Sequence, residues 1–366
     1  MVSSVRRVLK FVITRLTLPH TWEFKSPMLI VMKSGATPEE VSGVVRNVEQ
    51  LGFRAHVMPG ATRTAVGVTG NQGSVESARF ENLPGVFEAI RVSKPYKLIT
   101  LDLQPDQTVV RVGDATIGGD ELAIIAGPCA VESREQTLAV AKAVQESGAR
   151  FLRGGAFKPR SSPYDFAGLG EEGLQILAEA RDALGLKIVT EALDSPGVDL
   201  VEQYADMIQV GARNMQNFPL LRRVGKSKLP VLLKRGIAAT IDEWLLAAEC
   251  IMAEGNYQVV LCERGVRTFA QHTRNTLDLA AVPTIRHVSH LPIIVDASHA
   301  AGKSQLVAPL ARAGVAAGAD GLMIEVHNDP GTARCDAAQA LTPAEYLKTV
   351  REVRGIHRLL LETPNE

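Results

Sequence analysis

The sequence is poor in the features that would tie a chain to a membrane, an oxidising compartment or nucleic acid. No apolar run approaches the roughly 20 residues needed to span a bilayer. Lys plus Arg and Asp plus Glu each number 40, so the formal charge is zero. With no long block of one sign either, nucleic acid and anionic membranes are set aside as partners. Only four cysteines occur, Cys129, Cys250, Cys262 and Cys335, without paired spacing. That suits free thiols in a reducing cytoplasm better than a disulfide framework. A secretory leader is also missing, because the apolar stretch 8–18 is broken by Lys10 and Arg15 and no small-residue cleavage site follows. Residues 1–27, where Arg6, Arg7, Lys10, Arg15 and Lys25 face only Glu23, are expected to be a disordered extension. An organelle-targeting peptide is the alternative.

What is present is a chain of 366 residues, 46% hydrophobic and 22% charged, enough for a large core and more than one domain. From Met28 the pattern reads strand 28–33, helix 38–51 opened by Thr37, strands 54–58 and 64–68, a helix around 75–80 and strand 86–92. This βαββαβ order predicts a small ferredoxin-like domain over 28–95. Residues 96–120 read as a linker followed by a hairpin, 109–112 with 115–118, around Gly113-Asp114. The hairpin is placed at the base of whatever follows.

From residue 121 to 366, short β-branched runs alternate with amphipathic helical stretches. The runs are 122–125, 151–153, 188–191, 207–210, 231–234, 259–261, 293–295 and 322–325. Eight such units predict an α/β fold of the TIM (β/α)8 type. A doubly wound sheet is the alternative, but it lacks a G-x-G-x-x-G fingerprint after its first strand. Ala301-Gly302-Lys303-Ser304 resembles the end of a P-loop, yet Ala297 stands where that motif needs its first Gly.

In such a barrel, function sits at the C-terminal strand ends. Strand one ends in Gly127-Pro128-Cys129, strand seven in Asp296-Ala297-Ser298-His299, and strand eight in Glu325-Val326-His327 with Asp336 in the following loop. Closure makes these three strands neighbours, and a thiolate, an imidazole and two carboxylates gathered there call for a divalent cation. Any one of them alone would more often be a packed or hydrogen-bonded side chain. The other strand ends carry Arg153, Lys158, Arg213, Lys234, Arg235 and Arg264, a ring suited to phosphates. Some of these could instead pair with barrel carboxylates such as Glu191 and Glu263.

From Met28 onward the chain resembles the type I beta branch of 3-deoxy-D-arabino-heptulosonate 7-phosphate (DAHP) synthases. The resemblance rests on Ile125-Ala126-Gly127-Pro128-Cys129, the run from Arg153-Gly154-Gly155 through Lys158-Pro159-Arg160-Ser161, Gly211-Ala212-Arg213-Asn214, Leu233-Lys234-Arg235-Gly236 and Asp296-Ala297-Ser298-His299. It implies metal ligation by Cys129, His299, Glu325 and Asp336, with Mn2+ the expected ion. It further implies phosphoenolpyruvate binding by Arg153, Lys158, Ala212, Arg213, Lys234 and Arg264, and aldose phosphate binding by Arg160 and Ser161. Ser161 stands where the family often has Thr, which keeps the hydroxyl. The implied reaction joins phosphoenolpyruvate to erythrose 4-phosphate with loss of phosphate, Lys158 moving a proton and His299 acting at the metal.

Three alternatives bear on function. The sister 3-deoxy-D-manno-octulosonate 8-phosphate (KDO8P) synthases use arabinose 5-phosphate, but they typically read Lys-Ala-Asn-Arg where this chain has Lys158-Pro159-Arg160-Ser161. A Schiff base on Lys158 or Lys234 would dispense with the metal, and a barrel kept only for regulation would have no need of the full motif set. The resemblance also implies a homotetramer and tyrosine or phenylalanine bound between ferredoxin-like domains, with His56 a candidate contact. Cys335, next to Asp336, is a candidate to oxidise with Cys129 when metal is absent.

Overall fold

The computed structural model describes residues 28–60, 63–70, 76–91, 96–159, 162 and 164–362. The expected extension over 1–27, and Arg160 and Ser161, lie outside the described residues. The first unit runs β1 (Met28–Met32), α1 (Pro38–Gln50), β2 (Arg54–Pro59), β3 (Thr64–Thr69), α2 (Ala78–Glu81) and β4 (Val86–Arg91). Thr37 opens α1 with a capping box, its hydroxyl accepting from Glu40 N while the Glu40 carboxylate accepts from Thr37 N. The strands form an antiparallel sheet in the order β2-β3-β1-β4. That is the ferredoxin-like arrangement expected.

The two faces of this sheet bury different partners. Ile30, Val66 and Val68 pack on Val44, Val48 and Phe80 of the two helices. Leu29, Met58 and Ala65 face the other way and join the core of the second unit. His56 lies on that second face too, as the alternation with Met58 requires. Its Nδ1 is 2.8 Å from the Tyr257 hydroxyl and its Nε2 2.8 Å from Thr69 Oγ1. This departs from the expectation of an effector contact, because both ring nitrogens are already engaged within the chain.

A hairpin of β5 (Val110–Val112) and β6 (Ala115–Ile117) leads into a closed barrel. Its strands are β7 (Ala123–Gly127), β8 (Phe151–Arg153), β9 (Lys187–Glu191), β10 (Met207–Val210), β11 (Val231–Lys234), β12 (Val259–Glu263), β13 (Ile293–Asp296) and β14 (Gly321–Glu325), all parallel. The helices between them are α3 (Arg134–Glu146), α4 (Glu171–Leu184), α5 (Ser195–Tyr204), α6 (Phe218–Gly225), α7 (Ile241–Met252), α8 (Ala281–Val288), α9 (Ala297–Ala301) and α10 (Ser304–Ala316). Helix α11 (Pro343–Glu362) follows β14.

The strand period of two sorts each strand between two environments. Ile124, Ala126, Ile188, Ile208, Leu233, Leu261, Val295, Leu322 and Ile324 point outward under the helices. Ala123, Ile125, Phe151, Val189, Met207, Leu232, Val260, Ile294 and Met323 point inward, where Val110, Val112, Ala115 and Ile117 of the hairpin join them. The hairpin therefore stoppers the base of the barrel. One more inward step replaces these apolar side chains on six of the eight strands by Arg153, Glu191, Gln209, Lys234, Asp296 and Glu325, with Gly127 and Cys262 at that level on β7 and β12. This layer is polar, and the functional residues rise from it. Strands β12 and β13 run one or two residues beyond the runs predicted from sequence, since their last residues, Glu263 and Asp296, are charged and interrupt the apolar pattern.

Candidate active site

Chain closure brings the ends of β13, β14 and β7 side by side, as the register Glu325 to Gly127 and Asp296 to Met323 requires. At Gly127 (φ 151) a Cβ would lie 2.0 Å from the Arg153 carbonyl oxygen, so only glycine lets β7 and β8 approach while the chain turns toward Cys129. Asp296 caps the short α9 by accepting from His299 N at 3.0 Å. The same carboxylate lies 2.7 Å from His299 Nδ1 and 2.5 Å from Lys234 Nζ. That leaves His299 Nε2 facing the cluster, 3.1 Å from Glu325 Oε1 and 3.8 Å from Asp336 Oδ2. Cys129 Sγ is 3.4 Å from Asp336 Oδ2.

One ligand atom from each of Cys129, His299, Glu325 and Asp336 lies within 4.8 Å of the other three. Soft thiolate, borderline imidazole and hard carboxylates suit a divalent transition ion. A carboxylate behind the imidazole is the usual arrangement for a metal-bound histidine. Asp336 sits in the left-handed region (φ 51), the only non-glycine residue to do so among the described residues. Held strain of that kind, at the residue completing the quartet, marks a position constrained by function. These residues fit a cation.

Electrostatics point the same way. Burial opposes charge on Asp336, but His299 and Arg274 outweigh it and hold the carboxyl at about 2. For His299, burial is again opposed, here by Asp296 and Glu325, and the imidazole is pushed above its ordinary value. The contact with Cys335 and then burial push the Cys129 thiol up. A bound cation would displace that proton, since the thiolate is the ligand form. Cys335 Sγ is 3.1 Å from Cys129 Sγ, in a small shared apolar cluster with Ala130 and Phe166.

Above the quartet opens a cavity of about 220 Å³, whose lining includes Arg153, Lys158, Ala212, Arg213, Lys234 and Arg264. All six proposed phosphoenolpyruvate residues therefore meet in one space. Arg153 is buried, donating to Pro128 O at 2.8 Å and to Glu325 at 3.1 Å. Lys158 Nζ donates to the carbonyl oxygen of Cys129 at 3.0 Å and to its sulfur at 3.1 Å. Burial opposes the Lys158 charge, but negative charge on the Cys129 and Cys335 sulfurs raises its pKa above the ordinary value. Arg213 reaches Pro159 O at 3.0 Å. Arg153 Nε and Arg264 Nη1 are buried donors with no hydrogen-bond partner. Two unpaired guanidinium nitrogens on one cavity ask for an anion.

Arg235 does otherwise. Its guanidinium donates to Glu263 at 2.9 Å and Asp278 at 2.8 Å, and it is absent from the cavity wall. The ring expected from the strand ends thus loses this member to a buried ion pair. Two participants escaped the sequence reading: Arg274, 3.1 Å from Asp336 Oδ1, and Gln339, 2.7 Å from Glu325 Oε2. Both come from loops, where no strand register announces which way a side chain points.

A closed parallel barrel with four donors that could hold a metal ion and a collar of Arg and Lys over one cavity defines the class as a (β/α)8-barrel with the outline of an active site. Residues 100–359 match the DAHP synthetase I family and residues 28–94 match the DAHP synthase ferredoxin-like domain. The chain belongs to the DAHP synthetase I family. It is 48% identical over 329 residues to a phospho-2-dehydro-3-deoxyheptonate aldolase of Thermotoga maritima, covering 90% of this chain and 97% of that one. The crystal structure of a Thermotoga maritima protein of that name superposes with a TM-score of 0.73 at 47% identity, covering 92% of this chain and 98% of the other. More distant is a 2-dehydro-3-deoxyphosphooctonate aldolase of Syntrophotalea carbinolica, 33% identical over 270 residues, or 69% of this chain and 96% of that one.

Proposed function

We propose that this chain condenses phosphoenolpyruvate with erythrose 4-phosphate, water adding at C2 of the enolpyruvate as inorganic phosphate leaves, to form the seven-carbon sugar acid that opens the shikimate route to aromatic amino acids. The observation that carries this reading is the cavity lined together by Arg153 and Arg264, each with an unpaired buried guanidinium nitrogen, and by His299 and Asp336 of the quartet. Cys129, His299, Glu325 and Asp336 would hold one divalent ion, Mn2+, which supplies Lewis-acid polarisation of the aldehyde. Arg153, Ala212, Arg213, Lys234 and Arg264 hold phosphoenolpyruvate, the buried cations offsetting its carboxylate and phosphate charges. Arg160 and Ser161 hold the aldose phosphate. Fixing both phosphorylated substrates in one collar overcomes their mutual repulsion and aligns C3 of the enol with the aldehyde carbon. Lys158, which belongs to both substrate motifs in the sequence, delivers a proton as the carbonyl oxygen gains charge.

The greater identity to the heptonate aldolase, 48% against 33%, favours erythrose 4-phosphate over arabinose 5-phosphate. The test is phosphoenolpyruvate consumption with each aldose, after EDTA treatment and after Mn2+ is returned. We expect erythrose 4-phosphate to be preferred, EDTA to abolish turnover and Mn2+ to restore it. Faster turnover of arabinose 5-phosphate would overturn the assignment, and an adduct on Lys158 or Lys234 after borohydride trapping would overturn the metal-assisted mechanism.

The proposal extends to organisation: a regulatory domain over 28–95, a linker and hairpin over 96–120 and a catalytic barrel over 121–366, assembled as a cytoplasmic homotetramer. No helix among the described residues is long and apolar enough to cross a membrane. Tyrosine or phenylalanine is the proposed effector, and unchanged rates at saturating levels of both would exclude it.

A further inference from the structure

Each carboxylate of the quartet shows one oxygen to its fellow ligands and has the other held from behind. Glu325 Oε1 lies 3.1 Å from His299 Nε2, whereas Oε2 accepts from Gln339 Nε2 at 2.7 Å. Asp336 Oδ2 lies 3.4 Å from Cys129 Sγ, whereas Oδ1 lies 3.1 Å from Arg274 Nη1. The two holders are themselves joined, because Arg274 Nη1 donates to Gln339 Oε1 at 3.0 Å. Gln339 is 2% exposed and stands in the tight turn directly after Asp336. Its orientation is dictated on both sides: the carbonyl must face the guanidinium, and the NH2 must face Glu325 and, at 3.5 Å, Asp336 Oδ2.

We infer that Gln339 and Arg274 are positioning residues, a bridge that makes each carboxylate present a single oxygen to the cation and thereby sets its affinity and coordination. The inference rests on the quartet being a cation site. Left free, a carboxylate can rotate to offer two oxygens. Tying the rear oxygen fixes which one faces the ligand cluster before an ion arrives, and on Glu325 that front oxygen also accepts from Arg153 Nη1 at 3.1 Å. A charge argument alone predicts the opposite sign. Arg274 is a cation beside a cation site, so its removal should tighten binding if its role were only repulsive.

Co2+ serves as the probe, since its d–d bands report coordination and its thiolate charge-transfer band reports Cys129. The full chain, stripped of metal, is titrated with Co2+ alone. We expect Arg274→Met to weaken Co2+ binding by roughly 10–100-fold and Gln339→Leu by a similar factor. Both should alter the d–d bands while keeping the thiolate band. Arg274→Lys restores a donor to Asp336 and should recover part of the affinity. Thermal unfolding of the metal-free variants separates this from general damage: the bridge requires affinity to fall while the Arg274→Met apo protein melts as the wild type does. That variant carries the test if Gln339→Leu does not fold, because the Arg274 side chain is 40% exposed. Unchanged or tighter Co2+ binding by Arg274→Met, with unaltered d–d bands, would overturn the bridge. If the wild type takes up no Co2+ and shows no thiolate band, the cation site itself fails, and the bridge with it.

Discussion

Arg264 and Arg235 occupy adjacent strand ends and look alike in sequence, yet they do opposite things. Arg235 is neutralised by Glu263 and Asp278, while Arg264 keeps Nη1 buried and unpartnered, and burial lowers its pKa. Arg264→Met should therefore raise the melting temperature of the ligand-free protein by about 2 °C, while raising the KM for phosphoenolpyruvate at least roughly tenfold. Arg235→Met should lower stability instead, by about 3 kcal/mol, by stranding two carboxylates. Thermal melts and initial rates check both. The Cys129 and Cys335 sulfurs, 3.1 Å apart, predict that metal-free protein exposed to mild oxidant loses two titratable thiols, and that Mn2+ or Cys335→Ser prevents this. A constant thiol count through oxidation of the apo protein would refute it. At this scale the sequence was informative where strand phase told which side chains point inward. The Glu325, Arg153 and Lys234 positions follow from that phase, whereas Cys129 and His299 lie just past the ends of β7 and β13 and were legible through the motifs that hold them. Arg274, Gln339 and the left-handed backbone of Asp336 follow from neither, since they depend on loop conformation, and nothing local distinguishes Arg235 from its neighbours.

Strands and helices were more legible than side chains, because a period of two or of 3.6 repeats over several residues and averages out local exceptions. The eight barrel strands and the four of the first sheet stand where alternation placed them, with ends shifted by a residue or two. The hairpin was readable as a turn at Gly113-Asp114, and it packs at the base of the barrel, where it was expected, through Val110, Val112, Ala115 and Ile117. Ile117 is fully buried against the inward layer. Ile117→Ala should cost about 2–4 kcal/mol in urea unfolding. A pH effect belongs to the contact between β2 and the barrel. Burial first, then Arg54 and Lys97, hold the His56 pKa below its ordinary value near about 6.5. The unfolded chain therefore takes up this proton before the folded one does on acidification. The stabilisation is complete above about pH 6.5 and is lost as pH falls through the depressed value. Protection factors of the β2 amides, corrected for the intrinsic slowing of exchange, should fall between about pH 7 and pH 5, and much less so in His56→Gln.

For the molecule as a whole, removing the metal should have local consequences and leave the barrel standing. The inward apolar layer and the helix-covered outer layer are independent of the quartet. EDTA should therefore abolish turnover with little change in far-UV circular dichroism, and collapse of the secondary structure would contradict this layered account. The stoppered base has a further consequence, for traffic. With Val110, Val112, Ala115 and Ile117 filling one end, the barrel is a cul-de-sac closed at its base among the described residues. Arg153, Lys234 and Arg264 are its deepest cations, each under 7% exposed. Whatever they hold must come in first and cannot leave past a second occupant. Arrivals must queue, and isotope trapping should find phosphoenolpyruvate committed behind erythrose 4-phosphate and never the reverse.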